Sequence, residues 1–338
     1  MSKKIGTSTY RPACPPSIIS WAAIAGEVEA QGPLRVYFDQ IVDEFWGEDS
    51  AEKAECKMFV HAVKTAMKKG NVEPEEIDIL LGGDLLNQII SVNFAALQLG
   101  IPFLGLYGAC STMAESLLNA SMIIDGGFAK KTVCVTGSHY STAERQYRMP
   151  LEMGGQTTPT AQRTVTGVGA CVLSDQGAGP YVTSFTIGTT QDYGIKDAAN
   201  MGAAMAPAAI DTLDRHFKDM GRKPDYYDII ATGDLGKLGY DIVIEKMADM
   251  GYDMTVNYTD CGIEIFDLDK QNVDCGGSGC GCCATVLNGY LLDKMEAGVY
   301  KKILLVPTGA LLSTTSTLQG ESIPCIAHAV AIEKEVGV

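Results

Sequence analysis

Short apolar segments alternate with longer segments of helical period along most of the chain. In residues 51–69 apolar side chains recur at helical spacing, and the segment ends in a basic last turn followed by Gly70. A continuous apolar run, residues 77–81, comes next and ends at two glycines, as expected for a buried strand. This alternation predicts an α/β protein built in layers around a largely buried sheet. We predict helices at residues 51–69, 92–99, 111–124, 208–220, 241–250 and 284–295. We predict strands at residues 77–81, 102–106, 132–136, 167–174, 229–231 and 303–306.

The order of elements in the first part of the chain occurs again in the second part. Residues 77–85 read Ile-Asp-Ile-Leu-Leu-Gly-Gly-Asp-Leu, and residues 227–235 read Tyr-Asp-Ile-Ile-Ala-Thr-Gly-Asp-Leu. Further along, a Lys-Lys pair opens an apolar strand in both copies, within 130–138 and 301–310. Repeats of this length are too long for a solenoid and indicate a duplicated half-domain. We place the boundary near residue 180, which gives the halves 1–180 and 181–338.

Composition and charge narrow the range of partners and compartments. Of the 338 residues, 46% are hydrophobic and 20% are charged, as in an ordinary globular protein. The formal net charge of −15 argues against a nucleic-acid partner, because phosphate binding needs a basic face. No apolar run approaches the roughly 20 residues of a membrane-spanning helix, and the two lysines near the start precede no apolar segment. We therefore expect a protein made in the cytoplasm without a secretory signal, whose eleven cysteines are reduced thiols.

Cys110 is the sharpest candidate for chemistry. It lies in Gly108-Ala109-Cys110-Ser111-Thr112, where a predicted strand gives way to a predicted helix. Unpaired N–H groups and the positive end of the helix dipole at such a position should lower the pKa of the thiol. Cys110 and Ser111 then form the seat of a nucleophile or of an anion. The alternative is that Cys110 is a small buried hydrophobe, a common use of free cysteine.

A glycine-rich turn occupies the matching place in the second half. Residues 274–283 read Asp-Cys-Gly-Gly-Ser-Gly-Cys-Gly-Cys-Cys, and the glycines permit a close approach of backbone to whatever faces Cys110. We therefore include Gly277 and Ser278 among the candidate ligand contacts. The cysteine spacing lacks the paired C-x2-C of structural zinc sites, and there is no histidine nearby. We expect neither a metal nor a cofactor here.

Charged side chains follow several of the predicted strands. Asp84 and Asp234 hold matching positions in the two copies, and each either faces a pocket or caps the next helix. His139 follows the strand 132–136, at the kind of strand end where α/β proteins build their sites. Arg145 and Arg148 add guanidinium groups suited to carboxylates. The alternative for His139 to Arg148 is a surface loop with solvated charges.

The duplicated half, with a cysteine at a strand-to-helix turn and a glycine-rich turn in the other copy, resembles the thiolase and ketoacyl-synthase superfamily. This resemblance implies a five-layer α-β-α-β-α fold with pseudo-two-fold halves. Within the superfamily, nearly the whole chain resembles the stage V sporulation protein AD family of spore-forming bacteria. The motifs that carry this likeness are Asp84-Leu85-Leu86-Asn87-Gln88, Gly108 to Thr112, His139 to Arg148, Val165-Thr166-Gly167, Met201 to Pro207, Gly276 to Cys280 and Glu321-Ser322-Ile323-Pro324.

The resemblance to this spore family implies a ligand and a setting. The ligand is dipicolinic acid, pyridine-2,6-dicarboxylate, taken up into the developing spore and released at germination, either free or as its calcium chelate. The implied partners are the other stage V sporulation A membrane proteins and a second copy of the chain in a homodimer. The implied location is peripheral, at the spore inner membrane.

The chain departs from the catalytic members of the superfamily. Those enzymes pair the cysteine with a histidine of the second half, commonly in a motif containing His and Asn. Here the corresponding strand end, 232–235, reads Thr-Gly-Asp-Leu, and the glycine-rich turn holds neither residue. A thiolate nucleophile needs a base and an oxyanion partner. We therefore expect a non-catalytic binding protein with Arg145 pairing a ligand carboxylate, and the alternative is a Cys110-dependent acyl-transferring enzyme with His139 as its base.

Overall fold

One continuous hydrogen-bonded sheet runs through the molecule in a computed structural model that describes residues 3–147 and 157–336. The strands are β1 (Lys4–Ile5), β2 (Thr9–Tyr10), β3 (Ser17–Gly26), β4 (Gln40–Val42), β5 (Ile79–Gly83), β6 (Phe103–Gly105), β7 (Lys131–Ser138), β8 (Arg163–Thr164), β9 (Gly167–Ser174), β10 (Tyr181–Thr186), β11 (Ile229–Thr232), β12 (Tyr258–Asp260), β13 (Gly277–Ser278), β14 (Lys302–Val306), β15 (Thr308–Ala310), β16 (Cys325–Ala327) and β17 (Ala329–Glu333). The α-helices are α1 (Ala51–Lys69), α2 (Ile90–Leu99), α3 (Thr112–Asp125), α4 (Tyr140–Tyr147), α5 (Met201–Met220), α6 (Gly236–Asp249), α7 (Cys261–Glu264), α8 (Cys280–Thr285), α9 (Leu292–Glu296) and α10 (Thr314–Leu318). A π-helical turn, Val286–Leu291, joins α8 to α9.

The strand order of the large sheet is the same in both halves, read outward from its centre. The first half contributes β3-β9-β7-β5-β6, and the second half contributes β10-β17-β14-β11-β12 in the opposite direction. In each set the outer three strands are parallel and the inner pairs are antiparallel. β3 and β10 meet at the centre through the pair Ser17 and Tyr181. The sheet therefore has a pseudo-two-fold axis between β3 and β10.

The two halves also share an arrangement of hydrogen bonds, in which an aspartate carboxylate accepts backbone N–H groups at the start of equivalent strands. The carboxylate oxygen Oδ2 of Asp78 accepts the backbone N–H groups of Lys130 and Lys131, at 2.7 and 3.1 Å. Oδ2 of Asp228 accepts the two N–H groups that open β14, at 2.6 and 2.9 Å. Asp78 and Asp228 are the second residues of the repeated motifs in the sequence. The repeat in the sequence is thus a repeat of tertiary contacts.

Five layers follow from the way the helices cover the sheet. α1 and α2 cover the outer face of the first half, α5 and α6 cover the outer face of the second half, and α3 and α8 lie between the halves. Three apolar cores fill the spaces between layers. Their representative buried side chains are Phe59, Val63 and Leu80 on the outer face of the first half, Met113, Leu117, Leu287 and Val330 in the centre, and Leu213, Phe217 and Leu304 on the outer face of the second half. This is the α-β-α-β-α layering that the resemblance implied.

Two differences from the predicted elements have physical reasons. The central strand β3 reads Ser-Ile-Ile-Ser-Trp-Ala-Ala-Ile-Ala-Gly and is buried on both faces, so it lacks the alternation that marks a strand in sequence. Helix α5 begins at Met201 rather than at the predicted residue 208. Pro207, which in the sequence suggests a helix boundary, lies inside the helix. A proline normally indicates a helix start or end. Within the described ranges, no helix is both long enough and apolar enough to cross a bilayer.

A buried carboxyl group, Glu29, links β3 to the segment that follows β8. Glu29 is 1% exposed, and its Oε1 accepts the backbone N–H of Thr166 at 3.0 Å. Burial disfavours the charged form and raises the pKa of Glu29 from 4.5 to about 7. The native state therefore binds this proton more tightly than the unfolded chain does. The contribution of Glu29 to stability is present below pH 4.5 and is lost as the pH rises through 7.

Replacing Glu29 with Gln should remove this pH dependence, because the amide keeps an acceptor for Thr166 and has no charge to bury. Relative to wild type, the variant should gain up to about 3 kcal/mol in free energy of unfolding between pH 4.5 and pH 8. Urea unfolding at both pH values measures the difference. The exposed neighbour Glu27→Gln is the control and should show no such gain. An equal difference from wild type at both pH values would contradict the role of Glu29.

Candidate functional site

Cys110 lies on a tight turn that the surrounding hydrogen bonds hold in one conformation. Residues Ala109–Ser111 form a single 3-10 turn that leads directly into α3. Ala109 has φ of +49°, a left-handed conformation uncommon for a residue other than glycine. The Thr112 hydroxyl donates to the Ala109 carbonyl at 2.6 Å and accepts the N–H of Gly108 at 3.1 Å. The sulfur of Cys110 is therefore held at a fixed place, and the residue is only 6% exposed.

The side chain of Cys110 borders a small cavity between the two halves. The cavity volume is about 40 Å³, which is room for roughly three water molecules. The second half contributes Met201, Ser278, Gly279, Ala310 and Leu312 to its wall. The first half contributes Leu85, Tyr107, Ala109, Cys110, Ala143, Glu144, Tyr147 and Thr164. The turn at Cys110 and the glycine-rich turn thus face one another across this space.

The glycine-rich turn presents polar groups to the cavity. Ser278, which is 1% exposed, lines the cavity, and its hydroxyl oxygen has no hydrogen-bond partner among the described residues. Gly279 has φ of +96°, and a Cβ there would lie 2.9 Å from the hydroxyl oxygen of Ser138. Only glycine therefore fits, and its backbone N–H interacts with the sulfur of Cys110. The turn thus places a buried hydroxyl without a described partner in the cavity wall and one backbone N–H at the cysteine.

The expectation of an acidified thiol at Cys110 is wrong. Burial raises the pKa of the Cys110 thiol well above its ordinary value, and the neighbouring carboxyl of Asp234 raises it further. Asp234 is itself fully buried, so its own pKa is also raised well above the usual range, with Asp260 adding to the effect. The helix dipole at α3 is outweighed, because desolvation of a thiolate beside acidic groups costs more than one helix end restores. Cys110 is a protonated thiol at neutral pH.

The matching aspartates Asp84 and Asp234 have different roles. Asp84 accepts the N–H groups of Leu86 and Val92, each at 2.8 Å, and so holds the turn that begins α2. Asp234 does not cap α6, because Asp260 accepts the N–H groups at the start of that helix. Asp234 instead accepts the N–H of Thr308 at 3.3 Å and interacts with the Cys110 thiol. Asp234 therefore stands beside the cysteine, where the resemblance placed the histidine of the enzymes.

A second buried carboxyl group, Glu55, supports Asp84 behind the cavity wall. Glu55 accepts the hydroxyl groups of Ser91 at 2.9 Å and of Thr142 at 3.1 Å. Burial raises the pKa of Glu55 well above its usual range, and the charge of Asp84 raises it further. Burial also raises the pKa of Asp84 to about 6. Both shifts favour the protonated form of this pair of carboxyl groups.

His139 and Arg145 lie outside the cavity. The ring nitrogen Nδ1 of His139 accepts the N–H of Ser141 at 3.2 Å, so Nε2 donates to the carbonyl of Glu44 at 2.8 Å. Burial lowers the pKa of His139. Arg145 forms an ion pair with Glu52 at the surface, and its Nε donates to the Ser141 carbonyl at 3.1 Å. Neither residue reaches Cys110, and Arg148 lies outside the described residues.

Three further predicted contacts are near the cavity without lining it. The Ser111 hydroxyl donates to the Gly108 carbonyl at 2.7 Å, inside the turn itself. The Gly277 carbonyl accepts Nε2 of Gln162 at 2.9 Å, which fixes the strand pair β8 and β13. Asp84 lies behind Leu85, which does line the cavity. Of the predicted site residues, the cavity wall includes only Cys110 and Ser278, with Asp234 beside the thiol.

Several polar groups that line the cavity are not among the predicted contacts. The hydroxyl groups of Tyr107 and Tyr147 are 2.9 Å apart, and the Thr164 hydroxyl donates to Glu144 at 2.8 Å. Glu144 and Tyr147 belong to α4, a helix that sequence reasoning treated as a loop. Helical spacing within the segment would have placed Ala143 and Tyr147 on one face and Arg145 on another. This helical spacing is the signal in the sequence from which the cavity-facing residues of α4 could have been predicted.

An outer groove adjoins the cavity. Its volume is about 470 Å³, and Tyr107, Tyr147 and Leu312 line both spaces. The groove is otherwise mostly polar and uncharged, with Asn87, Gln88, Gln146, Ser313, Thr314 and Thr315 in its wall. Across residues 3–147 and 157–336, no group of three or more His, Cys, Asp or Glu side chains could hold a metal ion. The arrangement suits a small polar ligand that enters from the groove.

A family model and a related protein that match this chain carry the same family description. The family model described as stage V sporulation protein AD matches residues 6–333. Stage V sporulation protein AD of Bacillus subtilis (strain 168) is 44% identical over 336 residues, which cover 99% of each chain.

Two solved structures illustrate the fold that this chain shares with known proteins. The 3-oxoacyl-[acyl-carrier-protein] synthase III of Aquifex aeolicus VF5 aligns with a TM-score of 0.61 at 14% identity, over 94% of this chain and 99% of the enzyme. Xanthomonas campestris OleA, in a structure with bound lauric acid and lauroyl-CoA, aligns with a TM-score of 0.60 at 14% identity, over 94% and 99% of the two chains. At such identities the likeness shows the fold, which is thiolase-like.

Proposed function

The chain belongs to the stage V sporulation protein AD family, and we propose that it binds dipicolinic acid in the cavity beside Cys110 without catalysing acyl transfer. The family resemblance suggests the ligand. The placement at Cys110 is supported by the meeting of the two half-domains there, the usual kind of place for a small-molecule site. The ligand is a planar ring with two carboxyl groups, so it needs donors at its edge and apolar walls at its faces.

The observation that carries this proposal is the unpaired hydroxyl of Ser278. A buried hydroxyl without a partner costs free energy, and among the several such hydroxyls of the described residues Ser278 is the one in the cavity wall. Ser278 lines the cavity next to Gly279, whose N–H points at Cys110. A carboxylate oxygen of the ligand placed between them would accept both donors. The walls formed by Leu85 and Met201 suit the faces of a ring.

The charges around the cavity constrain the form in which the ligand binds. Among the described residues no lysine or arginine lines the cavity, whereas Glu144 does and Asp234 lies beside it. A free dianion in the cavity would face these acidic side chains without a lysine or arginine of the described wall to offset its charge. We therefore propose that the charge of the ligand is neutralised by a calcium ion carried with it or by protons. Arg145 has no part in this, because it is paired with Glu52 at the surface.

The size of the cavity implies a movement on binding. The cavity has room for roughly three water molecules, which is less than the ring and two carboxyl groups of dipicolinic acid need, so we propose that some wall residues shift to admit the ligand. Tyr107, Tyr147 and Leu312 are the side chains shared with the outer groove. We place the entry route at these three side chains. Their displacement would join the cavity to the groove.

Acyl transfer is the second candidate function, because Cys110 keeps the turn on which condensing enzymes of this fold carry their nucleophile. The surroundings oppose it. The raised pKa of the thiol removes the thiolate, and His139 is bonded to Glu44 and Ser141 away from the cavity. Burial raises the pKa of Asp234, which favours the protonated carboxyl over the carboxylate that a base requires. Binding is therefore the better supported function.

We also propose the partners that the resemblance implies. They are the other stage V sporulation A membrane proteins, at the spore inner membrane, and a second copy of the chain. The edge strand β6 supports the homodimer, since on its outer side it pairs with no strand of the described chain. Its Leu104 is 48% exposed, and Phe94 and Leu97 of α2 are 55% and 75% exposed. Exposed apolar side chains at a sheet edge favour association.

Ser278→Ala should weaken dipicolinate binding by about 1.5–3 kcal/mol, the range for a hydrogen bond to a charged group. Calorimetric titration of the full chain with dipicolinate, with and without calcium, measures this, and benzoate should give much less heat. Ser121→Ala is the matched control, since Ser121 is also buried with an unpaired hydroxyl but lies in α3 away from the cavity. Unchanged affinity in Ser278→Ala, or an equal loss in Ser121→Ala, would remove the ligand from this cavity.

Cys110 should not be acylated by thioesters, because its thiol stays protonated and buried. We expect no mass increase when the full chain is incubated with acetyl-CoA, malonyl-CoA or acetoacetyl-CoA. Intact-protein mass spectrometry is best done in a Cys14→Ser background, which removes an exposed thiol that could react adventitiously. A stoichiometric adduct that disappears in Cys110→Ala, together with turnover, would establish the enzyme function instead.

Leu104→Glu should weaken self-association by placing a charge at the edge of β6. Sedimentation equilibrium should give a dimer for wild type and a shift towards monomer for the variant. Leu318→Glu is the control, because Leu318 is 89% exposed on α10, away from that edge. A wild-type monomer, or equal behaviour of the two variants, would argue against a dimer through β6.

A further inference from the structure

A second pocket lies at the opposite end of the sheet from Cys110. Its volume is about 400 Å³, and its wall includes Arg11, Thr183, Arg222, Tyr226 and Glu333. Glu333 is the last residue of β17, beside the start of β14, with which it pairs. The other end of β14 leads to β15, whose last residue lines the Cys110 cavity. The two pockets are therefore separated by the length of the strands.

The guanidinium group of Arg222 is fixed in this pocket with part of its donor edge free. Its Cζ lies 3.8 Å above the ring centre of Tyr226. Nη1 donates to the hydroxyl of Tyr227 at 3.1 Å and to Glu333 at 3.0 Å. Nε and Nη2 have no hydrogen-bond partner in the described part of the chain. Because the side chain is only 15% exposed, Arg222 presents a pre-oriented pair of N–H donors.

A buried network holds these partners in place. Glu333 also accepts the hydroxyl of Thr183 at 2.8 Å. The Tyr227 hydroxyl is 2.6 Å from Nε2 of His216, whose Nδ1 is 2.8 Å from the hydroxyl of Thr186. Burial lowers the pKa of His216 to about 3, so its ring is neutral at pH 7 and adds no charge. The network orients Arg222 without using the Nε and Nη2 donors.

Two further cations stand around the pocket. Arg11 lines it and is exposed, and the Nζ of Lys302 lies 3.8 Å from the ring centre of Tyr226. Neither forms an ion pair with any residue that the structure describes. Glu333 supplies one negative charge against the three cations. This pocket is thus locally basic in a chain whose net charge is −15.

We infer that this pocket binds a phosphate-type oxyanion carrying more than one negative charge. The Nε and Nη2 donors of Arg222 match two oxygens of such a group, the bidentate geometry that distinguishes arginine from lysine. Arg11 in the pocket wall and Lys302 beside the lining residue Tyr226 supply the remaining charge. The same chemistry is presented by inorganic phosphate and by the phosphomonoester headgroup of a lipid such as phosphatidic acid.

The test is a calorimetric titration of the full chain with inorganic phosphate at constant ionic strength, because salt screens exposed cations. We expect saturable binding that Arg11→Gln/Lys302→Gln weakens roughly tenfold or more, as for the loss of hydrogen bonds to a charged group. Arg222 is left in place, because its removal would strand the buried Glu333. Arg35→Gln is the control, since Arg35 is exposed and also forms no ion pair among the described residues. Circular dichroism checks that each variant is folded.

Vesicles identify the source of the oxyanion. Co-sedimentation with phosphatidylcholine vesicles containing phosphatidic acid, lost in Arg11→Gln/Lys302→Gln, would assign a lipid headgroup. Phosphate binding without co-sedimentation would assign a free anion. Absence of saturable phosphate binding would overturn the inference, as would an equal loss of affinity in Arg35→Gln. Binding to vesicles without binding of phosphate would also overturn it, because the pocket should accept the headgroup phosphate by itself.

Discussion

Direct backbone contact between the two half-domains is the constraint on which the rest of this structure depends. At Gly309 in β15, a Cβ atom would lie 2.0 Å from the carbonyl oxygen of Gly108 at the start of the Cys110 turn. No other residue could occupy that position without moving one half away from the other. The close approach brings Ser278 and Gly279 to the cysteine, and it keeps the cavity small. The layered cores hold the halves together, but these backbone contacts set the register of the site.

The same close approach explains the chemistry of the cavity. A thiol sealed between two half-domains and placed beside Asp234 loses hydration and meets acidic neighbours, so the pKa of Cys110 rises. The turn at Cys110 thus lies in a thiolase-like fold with surroundings that keep the sulfur protonated. The Ser278 hydroxyl and the Gly279 N–H are among the polar groups of the cavity wall.

The charges of the molecule are separated along the strands of the sheet. At the end where β5 and β11 finish, Asp84, Glu55 and Asp234 are buried acids near the cavity. At the other end, Arg11 and Arg222 line a pocket, and Lys302 lies beside its Tyr226. The carboxylate in this wall, Glu333, is paired with Arg222. The two proposed ligands follow this separation, with a neutralised ligand at the acidic end and an anion at the basic end. Since both pockets contact the β14–β17 region, each rests on the same rigid sheet.

The sequence by itself determined the features that depend on local backbone and on repetition. The duplicated motifs predicted two halves with equivalent strands, and the glycines around Cys110 and Ser278 predicted two facing turns. Both predictions were possible because the apolar period and the backbone freedom of glycine depend on the local sequence alone. The resemblance carried the layer order and the family. The central strand β3 was not predicted, because it is buried on both faces and its sequence therefore lacks the alternation of apolar and polar residues that marks a strand.

Only the tertiary structure decided what each polar side chain does. Asp84 and Asp234 are equivalent in sequence, yet one holds a helix start and the other lies against Cys110, because Asp260 takes over the capping in the second half. The phase of α4 turned Tyr147 towards the cavity and Arg145 away from it. A pKa, likewise, depends on desolvation and on neighbours distant in sequence. Those quantities arise from the packing of the two halves, which no local pattern specifies.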